Sequence, residues 1–269
     1  MSLINYPGGK FYLAPKIIEL FPRHICYVEV FGGGAHVLFK KTPSIREIYN
    51  DIDKNLYSLF KVISDPKLCR EFSRKLSKLM IFRDVFNDFK LKIENENLSL
   101  MDRAIVFYYL SRLSMFGNQT DFMVNKIINR PLDRGLDFYK NAYKRLKNVV
   151  IENKSYENLI EIYDTPDTLF YLDPPYIFDT RNGELYRYEF SNEKHLKLIE
   201  ILQNIKGKAI VSGYESDLYL ELSHWNKVKY KQIIQIGRNN LSDDSDNLYR
   251  EEVLWYNFEE ENLFNLEKN

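Results

Sequence analysis

The sequence predicts an α/β protein, a largely parallel sheet whose chain is interrupted by a helical segment. Three features point there. Strand-length apolar runs alternate with helix-patterned segments at the start of the chain. The same alternation resumes at residue 148, and between the two stretches the periodicity is helical almost throughout.

The elements follow in order. Residues 26–31 (CYVEVF) form an apolar run of strand length, closed by glycines, and AHVLFKK then begins a helix. Residues 45–50 (IREIYN) alternate as a second strand, after which Leu56, Leu59, Phe60 and Ile63 recur at helical spacing. From Pro66 to Lys147 the pattern predicts helices over 66–79, 81–92, 101–115 and 136–147, with a weak strand signal only near Phe122–Val124. Residues 116–135 are polar and rich in asparagine and arginine, a long loop of the kind that compact domains keep for function. Strands return at 148–152 and at 168–172 (TLFYL), the second stopped by Asp173-Pro174-Pro175. A helix over 191–205 opens on Ser191 as N-cap with Glu193 in its first turn. Residues 208–213 give another strand, and 227–236 with 250–258 an antiparallel pair around the polar loop 237–249. The chain thus divides into one sheet-bearing domain, residues 1–59 plus 149–269, and an inserted helical domain, residues 60–148.

Composition narrows the function. With 45% hydrophobic and 15% aromatic residues in 269, the chain has material for a core and is not a disordered tail. No apolar run nears the ~18 residues of a membrane span. The first residues lack the basic-then-apolar order of a signal peptide, so a cytoplasmic location away from membranes is expected. Cys26 and Cys69 are too few for a disulfide framework, and the four histidines show no HExxH spacing, so no metal site is expected. The 38 basic and 38 acidic side chains cancel overall but not locally. Residues 60–148 hold 18 basic and 10 acidic side chains, a net of +8, whereas 239–269 hold 2 basic and 9 acidic. A basic middle is either a phosphate-facing module or a solvated helical surface, and charge alone does not separate the two.

Three motifs carry chemistry. FGGGA, residues 31–35, lies between a buried strand and a helix, where glycines admit a ligand close to the backbone. Asp51 ends the second strand, the place where an acidic residue binds ribose hydroxyls in open α/β sheets. Together they suit a nucleoside-containing cofactor. Asp173-Pro174-Pro175-Tyr176 follows TLFYL, and its prolines stiffen a loop at the carboxyl end of a strand. There a carboxylate and a prolyl carbonyl can grip both hydrogens of an exocyclic amino group, and Tyr176 offers a flat face to a base. YPGGK, residues 6–10, adds backbone amides and a cation.

YPGGK (6–10), VEVFGGGAHVLF (28–39), YNDID (49–53) and LDPPY (172–176) occur in that order. Together they resemble the Dam-type N6-adenine DNA methyltransferases of the alpha group. The resemblance implies a Rossmann-like sheet that binds S-adenosylmethionine. It also implies that the helical segment 60–148 is a target-recognition domain, since the alpha group carries its own at this place in the order. By position, Tyr6, Lys10, Asp51 and Asp173 would line the cofactor pocket, with Asp51 on the ribose. Phe31, Gly32, Gly33 and Gly34 would leave room for the methionine part, and Ser155 and Tyr156 would flank the cofactor's adenine. Asp173, Pro174 and Tyr176 would hold a flipped adenine of duplex DNA. The loop 116–135 departs most from the Dam pattern, so a GATC site is not carried over.

The resemblance implies direct methyl transfer, with the enzyme supplying alignment and charge stabilisation. In the loop, Asn118, Gln119, Arg130 and Arg134 have the chemistry for base edges, and Lys126 adds positive charge for phosphates. A monomer is expected, and a companion restriction endonuclease is left open. The alternative is an enzyme of the same fold acting on an adenine of structured RNA. A nicotinamide-dependent oxidoreductase would leave YPGGK and DPPY unused, and a non-catalytic DNA-binding module would not need Asp173 and Tyr176.

Overall fold

The computed structural model describes residues 1–114, 117–123, 132–176, 190–233 and 249–259. Seven strands form one sheet: β1 (Cys26–Glu29), β2 (Arg46–Asn50), β3 (Val149–Glu152), β4 (Thr168–Leu172), β5 (Lys208–Gly213), β6 (Asn226–Ile233) and β7 (Tyr249–Tyr256). Their order is β3-β2-β1-β4-β5-β7-β6. The first five run parallel, β7 is antiparallel to β5, and β6 is antiparallel to β7. The architecture is mixed α/β. The chain winds outward from β1 in one direction to β2 and β3, then returns to β4 on the other side. Strand order therefore reverses between β1 and β4, and the crevice at their carboxyl ends is where such sheets bind ligands.

Both faces of the sheet are covered, which is why the central strands β1 and β4 read as nearly continuous apolar runs. Side chains alternate between the faces. Tyr27, Leu169 and Tyr171 join one core layer, and Val28, Phe170 and Leu172 join the other. Helices α1 (Ala14–Glu19), α2 (His36–Lys40), α3 (Lys54–Ser64), α4 (Pro66–Leu76), α5 (Arg83–Lys92), α6 (Leu100–Leu113) and α7 (Leu136–Leu146) contribute to the first layer. Helices α8 (Tyr156–Tyr163) and α9 (Asn192–Leu202) and a 3-10 turn over 217–222 cover the second.

The segment between β2 and β3 holds α3 to α7. Helix α6 is buried almost all round, and the other helices pack around it and α3. Its Arg103 is buried, and its guanidinium donates to Asn55 Oδ1 (3.0 Å) and to the carbonyls of Asn95 (2.7 Å) and Glu96 (3.1 Å). That one side chain ties the loop after α5 to α3.

Most expected elements appear within a few residues of their sequence bounds. The helix expected over 66–79 ends at Leu76, the one expected over 81–92 starts at Arg83, and the one expected over 101–115 ends at Leu113. Ser114 turns to extended geometry there and bridges Phe122 in antiparallel fashion, which accounts for the weak strand signal in that stretch. Helix α1 has no counterpart among the expected elements. It is only six residues long and carries Pro at its second position, so its period is hard to see. Among the described residues, no helix is long and apolar enough to cross a membrane.

Candidate active site

The glycine loop leaves β1 at the point of strand reversal and is held by its neighbours. Gly32 N–H donates to Asn50 O (2.7 Å), and Gly33 N–H donates to Asp51 Oδ2 (2.9 Å). Tyr49, fully buried and stacked on Phe60, donates its hydroxyl to Gly33 O at 2.9 Å. A Cβ on Gly32 would overlap the Tyr49 ring, so only glycine fits there. Gly33 has φ of +47° and Tyr6 as its neighbour, so it needs glycine for its backbone as well. The result is a bare backbone cradle at the mouth of a cleft.

The cleft encloses about 690 Å³ of empty space, part of it open to solvent. Tyr6, Gly8 and Lys10 from the amino-terminal loop line one side, Phe31 to Ala35 line the cradle, and Asp51 to Asp53 line the end of β2. Tyr171, Asp173 and Pro175 line the end of β4. The structure thus gathers four of the sequence motifs into one wall.

Asp51 Oδ1 accepts from Asp53 N–H (2.9 Å) while Oδ2 holds Gly33. Burial, and then the neighbouring Asp53 charge, push its carboxyl up to about 7. Asp173 is engaged by Lys10, whose ammonium donates to Oδ1 at 2.7 Å and to Oδ2 at 2.9 Å. The same ammonium donates to Tyr176 Oη at 2.5 Å and to Gly8 O at 3.1 Å. Burial raises Asp173 to about 6, with Lys10 pulling it down and Glu252 pushing it up. Glu29, at the end of β1, is pushed up to about 8 by burial, although Tyr27 Oη and Leu38 N–H both donate to its Oε2 at 2.9 Å.

Tyr6, Lys10, Phe31, Gly32, Gly33, Gly34, Asp51 and Asp173 all line the cleft. Pro174 does not line it and is buried, whereas Pro175 does. Tyr176 is buried behind Lys10 with its ring 4.3 Å from that of Tyr214. Ser155 and Tyr156 lie outside the lining: Ser155 caps α8, and Tyr156 packs beneath Phe31 in the second core layer. Tyr156 therefore reaches the cleft wall only through that ring.

Of the loop residues, Asn118 is exposed and accepts from Thr120 N–H (3.2 Å). Gln119 stands at φ +62°, its N–H donating to Ser114 Oγ (2.9 Å). Arg134 is exposed, donates to Ser2 O (2.9 Å) and lies 3.7 Å over the Phe138 ring. Lys126 and Arg130 fall outside the described residues.

The family comparison matches residues 6–236 to the D12 class N6 adenine-specific DNA methyltransferases. The chain belongs to that family. The match runs from the amino-terminal tyrosine of the cleft through the glycine cradle to the strand beyond Asp173. Among curated proteins, the D12 chain is 26% identical to the modification methylase StsI of Streptococcus sanguinis, over 98% of its own length and 44% of that protein. It is 24% identical to the type II methyltransferase M.FokI of Planomicrobium okeanokoites, over 96% of its length and 43% of the relative. A third relative, M.CviBI of Paramecium bursaria Chlorella virus NC1A, is 24% identical over 82% of this chain and 85% of its own. The chain therefore spans less than half of the first and second of these relatives.

Glu29 and His36, which line the cleft, were not singled out from the sequence as site residues, and neither was Glu252, which acts on Asp173. His36 is buried, lines the cleft and supports Gly9 and Gly34 from beneath. Glu29 did carry a signal, since it is a carboxylate in an otherwise apolar strand, whereas Glu252 shares its phase of β7 with Arg250.

Proposed function

We propose that this chain transfers a methyl group from S-adenosylmethionine to the N6 amino group of an adenine flipped out of duplex DNA. The observation that carries the reading is the placement of Asp173. It sits at the carboxyl end of β4 beside the glycine cradle of β1, at the reversal point of the sheet, in one cleft with Asp51. A family of adenine methyltransferases and a cleft that sets this carboxylate next to a bare glycine cradle support each other.

The residues present fit the cofactor. The cradle has no side chain to obstruct a ligand's approach, and the carboxyl groups of Asp51, Asp53 and Asp173 suit a ligand that carries cationic groups. Asp51 would accept from the ribose hydroxyls, and Phe31 to Gly34 would border the methionine part with Tyr6 and Lys10 opposite. When bound, the cofactor supplies a methyl group already activated by a sulfonium.

The chain supplies alignment. The target amine is a weak nucleophile because its lone pair is delocalised into the ring. Asp173 and the Pro174 carbonyl, accepting from its two hydrogens, localise that pair and hold it toward the methyl group. Flipping the base costs a few kcal/mol. Contacts from Tyr176 and from DNA bound along the 60–148 segment offset it. This segment, with its net charge of +8, is the recognition domain in our reading, and Asn118, Gln119, Lys126, Arg130 and Arg134 are its candidate DNA contacts. The relatives' names, modification methylases, support a role beside a restriction endonuclease.

The test is methylation with labelled cofactor of duplex DNA and of structured RNA, followed by digestion to nucleosides. Label in N6-methyladenine from DNA, at one short sequence context, is the expected result. Label in another nucleoside or only in RNA would overturn the reading.

A further inference from the structure

Glu252 has no place in the chemistry above. It lies on β7, with side chains two and four residues on, Leu254 and Tyr256, in the first core layer. It is 1% exposed, and a carboxylate so buried is costly unless it is paired. Its hydrogen-bonding and ion-pair partners among the described residues are Tyr176, Ser212 and Lys10. Tyr176 Oη donates to Oε1 at 2.7 Å and to Oε2 at 2.9 Å, and Ser212 Oγ donates to Oε1 at 2.5 Å. Lys10 Nζ stands 3.6 Å from Oε1. The Tyr176 hydroxyl thus accepts from Lys10 and donates to Glu252.

Lys10 spans both oxygens of Asp173, the atoms that an incoming amino group needs. The ammonium also caps the Tyr176 hydroxyl, 4.8 Å from the ring centroid. Something must draw it aside without removing it from a buried site. A move of about 1 Å brings Nζ within charge-assisted bonding distance of Glu252, along a hydroxyl it already contacts.

We propose that Glu252 is a positioning residue for methyl transfer, the second seat of the Lys10 ammonium, which it draws off Asp173 when the substrate amine arrives. The inference rests on the assignment of Asp173 made above. It also answers a question of charge. In the transfer, the amine lone pair forms the N–C bond, the S–C electron pair returns to sulfur, and positive charge passes to nitrogen, which afterwards releases a proton to solvent. An ammonium beside that nitrogen opposes the step. Asp173 alone cancels Lys10, and Glu252 leaves the group with one net negative charge facing the developing cation.

The groups facing Asp173 are Lys10 from the amino-terminal loop, Glu29 from β1, Tyr171 from β4, Tyr219 from the 3-10 turn, and Glu252. Those facing Glu252 are Lys10, Tyr171, Tyr176 and Ser212 from β5. Because Glu252 pushes the Asp173 carboxyl upward, its neutralisation lets Asp173 ionise at lower pH.

The experiment uses Glu252→Gln and Glu252→Asp in the full chain, with duplex DNA, measuring kcat and KM against pH. Thermal melting and cofactor calorimetry check folding. For Glu252→Gln, which keeps shape and acceptor oxygen, kcat should fall between about tenfold and about a hundredfold, the scale of a 1 Å misplacement. KM for DNA should change little, and the acid limb of kcat should move to lower pH. Glu252→Asp, charged but shorter, should keep the limb at its original pH. If Glu252→Gln does not fold, the limb and rate of Glu252→Asp carry the test. A limb that moves with this charge-conserving change overturns the proposal. So does a Glu252→Gln enzyme with unchanged kcat, or with lowered kcat and an unmoved limb, since a merely structural role would do the latter. Asp173→Ala, run alongside, separates the two readings. If it transfers methyl groups normally, the Asp173 assignment itself fails. If it is inactive while Glu252→Gln is normal, only the Glu252 inference fails.

Discussion

Replacing Asp51 by asparagine puts an amide where two backbone N–H groups converge. Gly33 and Asp53 each donate to a separate carboxylate oxygen at 2.9 Å. Asparagine has one oxygen, so its NH₂ group must face one of those donors. The lost cradle bond is a stability term, made with or without ligand; the binding term is a ribose bond to a charged acceptor, worth roughly 1.5–3 kcal/mol. The strain falls on the glycine cradle, and an acceptor is also withdrawn from the ribose. With about 1.4 kcal/mol per tenfold, the affinity for S-adenosylmethionine should fall by about ten- to a hundredfold. Calorimetry at pH 8 without DNA reads this directly, and a melting curve shows whether the loop has collapsed. Asp51 is pushed up to about 7, so the acceptor form is complete above that pH and is lost as pH falls through it. Wild-type affinity should therefore weaken between pH 8 and pH 6, and Asp51→Asn should remove most of that slope. Full cofactor affinity in Asp51→Asn, with the wild-type pH dependence, would refute the ribose role.

Two further outcomes follow from charges elsewhere. Glu29, with a folded value of about 8 against an ordinary 4.5, holds a proton in the folded state that the unfolded chain has released between those limits. Stability from this group thus falls as pH rises through that window, by up to about 1.4 kcal/mol per pH unit. Glu29→Gln should melt with a flatter pH dependence between pH 6 and pH 8, and parallel curves would contradict the assignment. Neutralising Lys126, Arg130, Arg134 and Lys140 together should weaken DNA binding and reduce the salt slope by about 0.9 for each phosphate no longer neutralised. An unchanged slope in a gel-shift titration would mean that the basic excess is a solvated surface.

The parallel sheet was legible because its strands are buried on both faces. CYVE and TLFYL read as apolar runs and REIYN as an alternating strand, and each is followed by a loop that lines the site. The cradle was legible for the same reason that it works: only glycine tolerates the Tyr49 ring and the positive φ at Gly33. Helix α1 was not legible, being short and opened by a proline. Nor was the Lys10–Tyr176–Glu252 cluster as a unit. Its members lie 166 and 76 residues apart along the chain, and only the return of β7 beside β5 brings the glutamate to the tyrosine. Ser155 and Tyr156 were placed at the cofactor by position alone; Ser155 caps α8 and Tyr156 packs against Phe31, a residue of the cleft wall.

The central claim is that Asp173 holds the amine that receives the methyl group, and its removal is the most direct test. Asp173→Ala leaves Lys10 within 3.6 Å of Glu252, so the buried ammonium keeps a partner and the fold should persist. Asp173→Asn keeps size but weakens acceptance. Tritium transfer from labelled S-adenosylmethionine to duplex DNA, run beside a gel-shift assay, reads chemistry and binding separately. The account predicts loss of transfer in Asp173→Ala, a severe reduction in Asp173→Asn, and DNA affinity largely retained in both. Near-normal transfer by Asp173→Ala would contradict it.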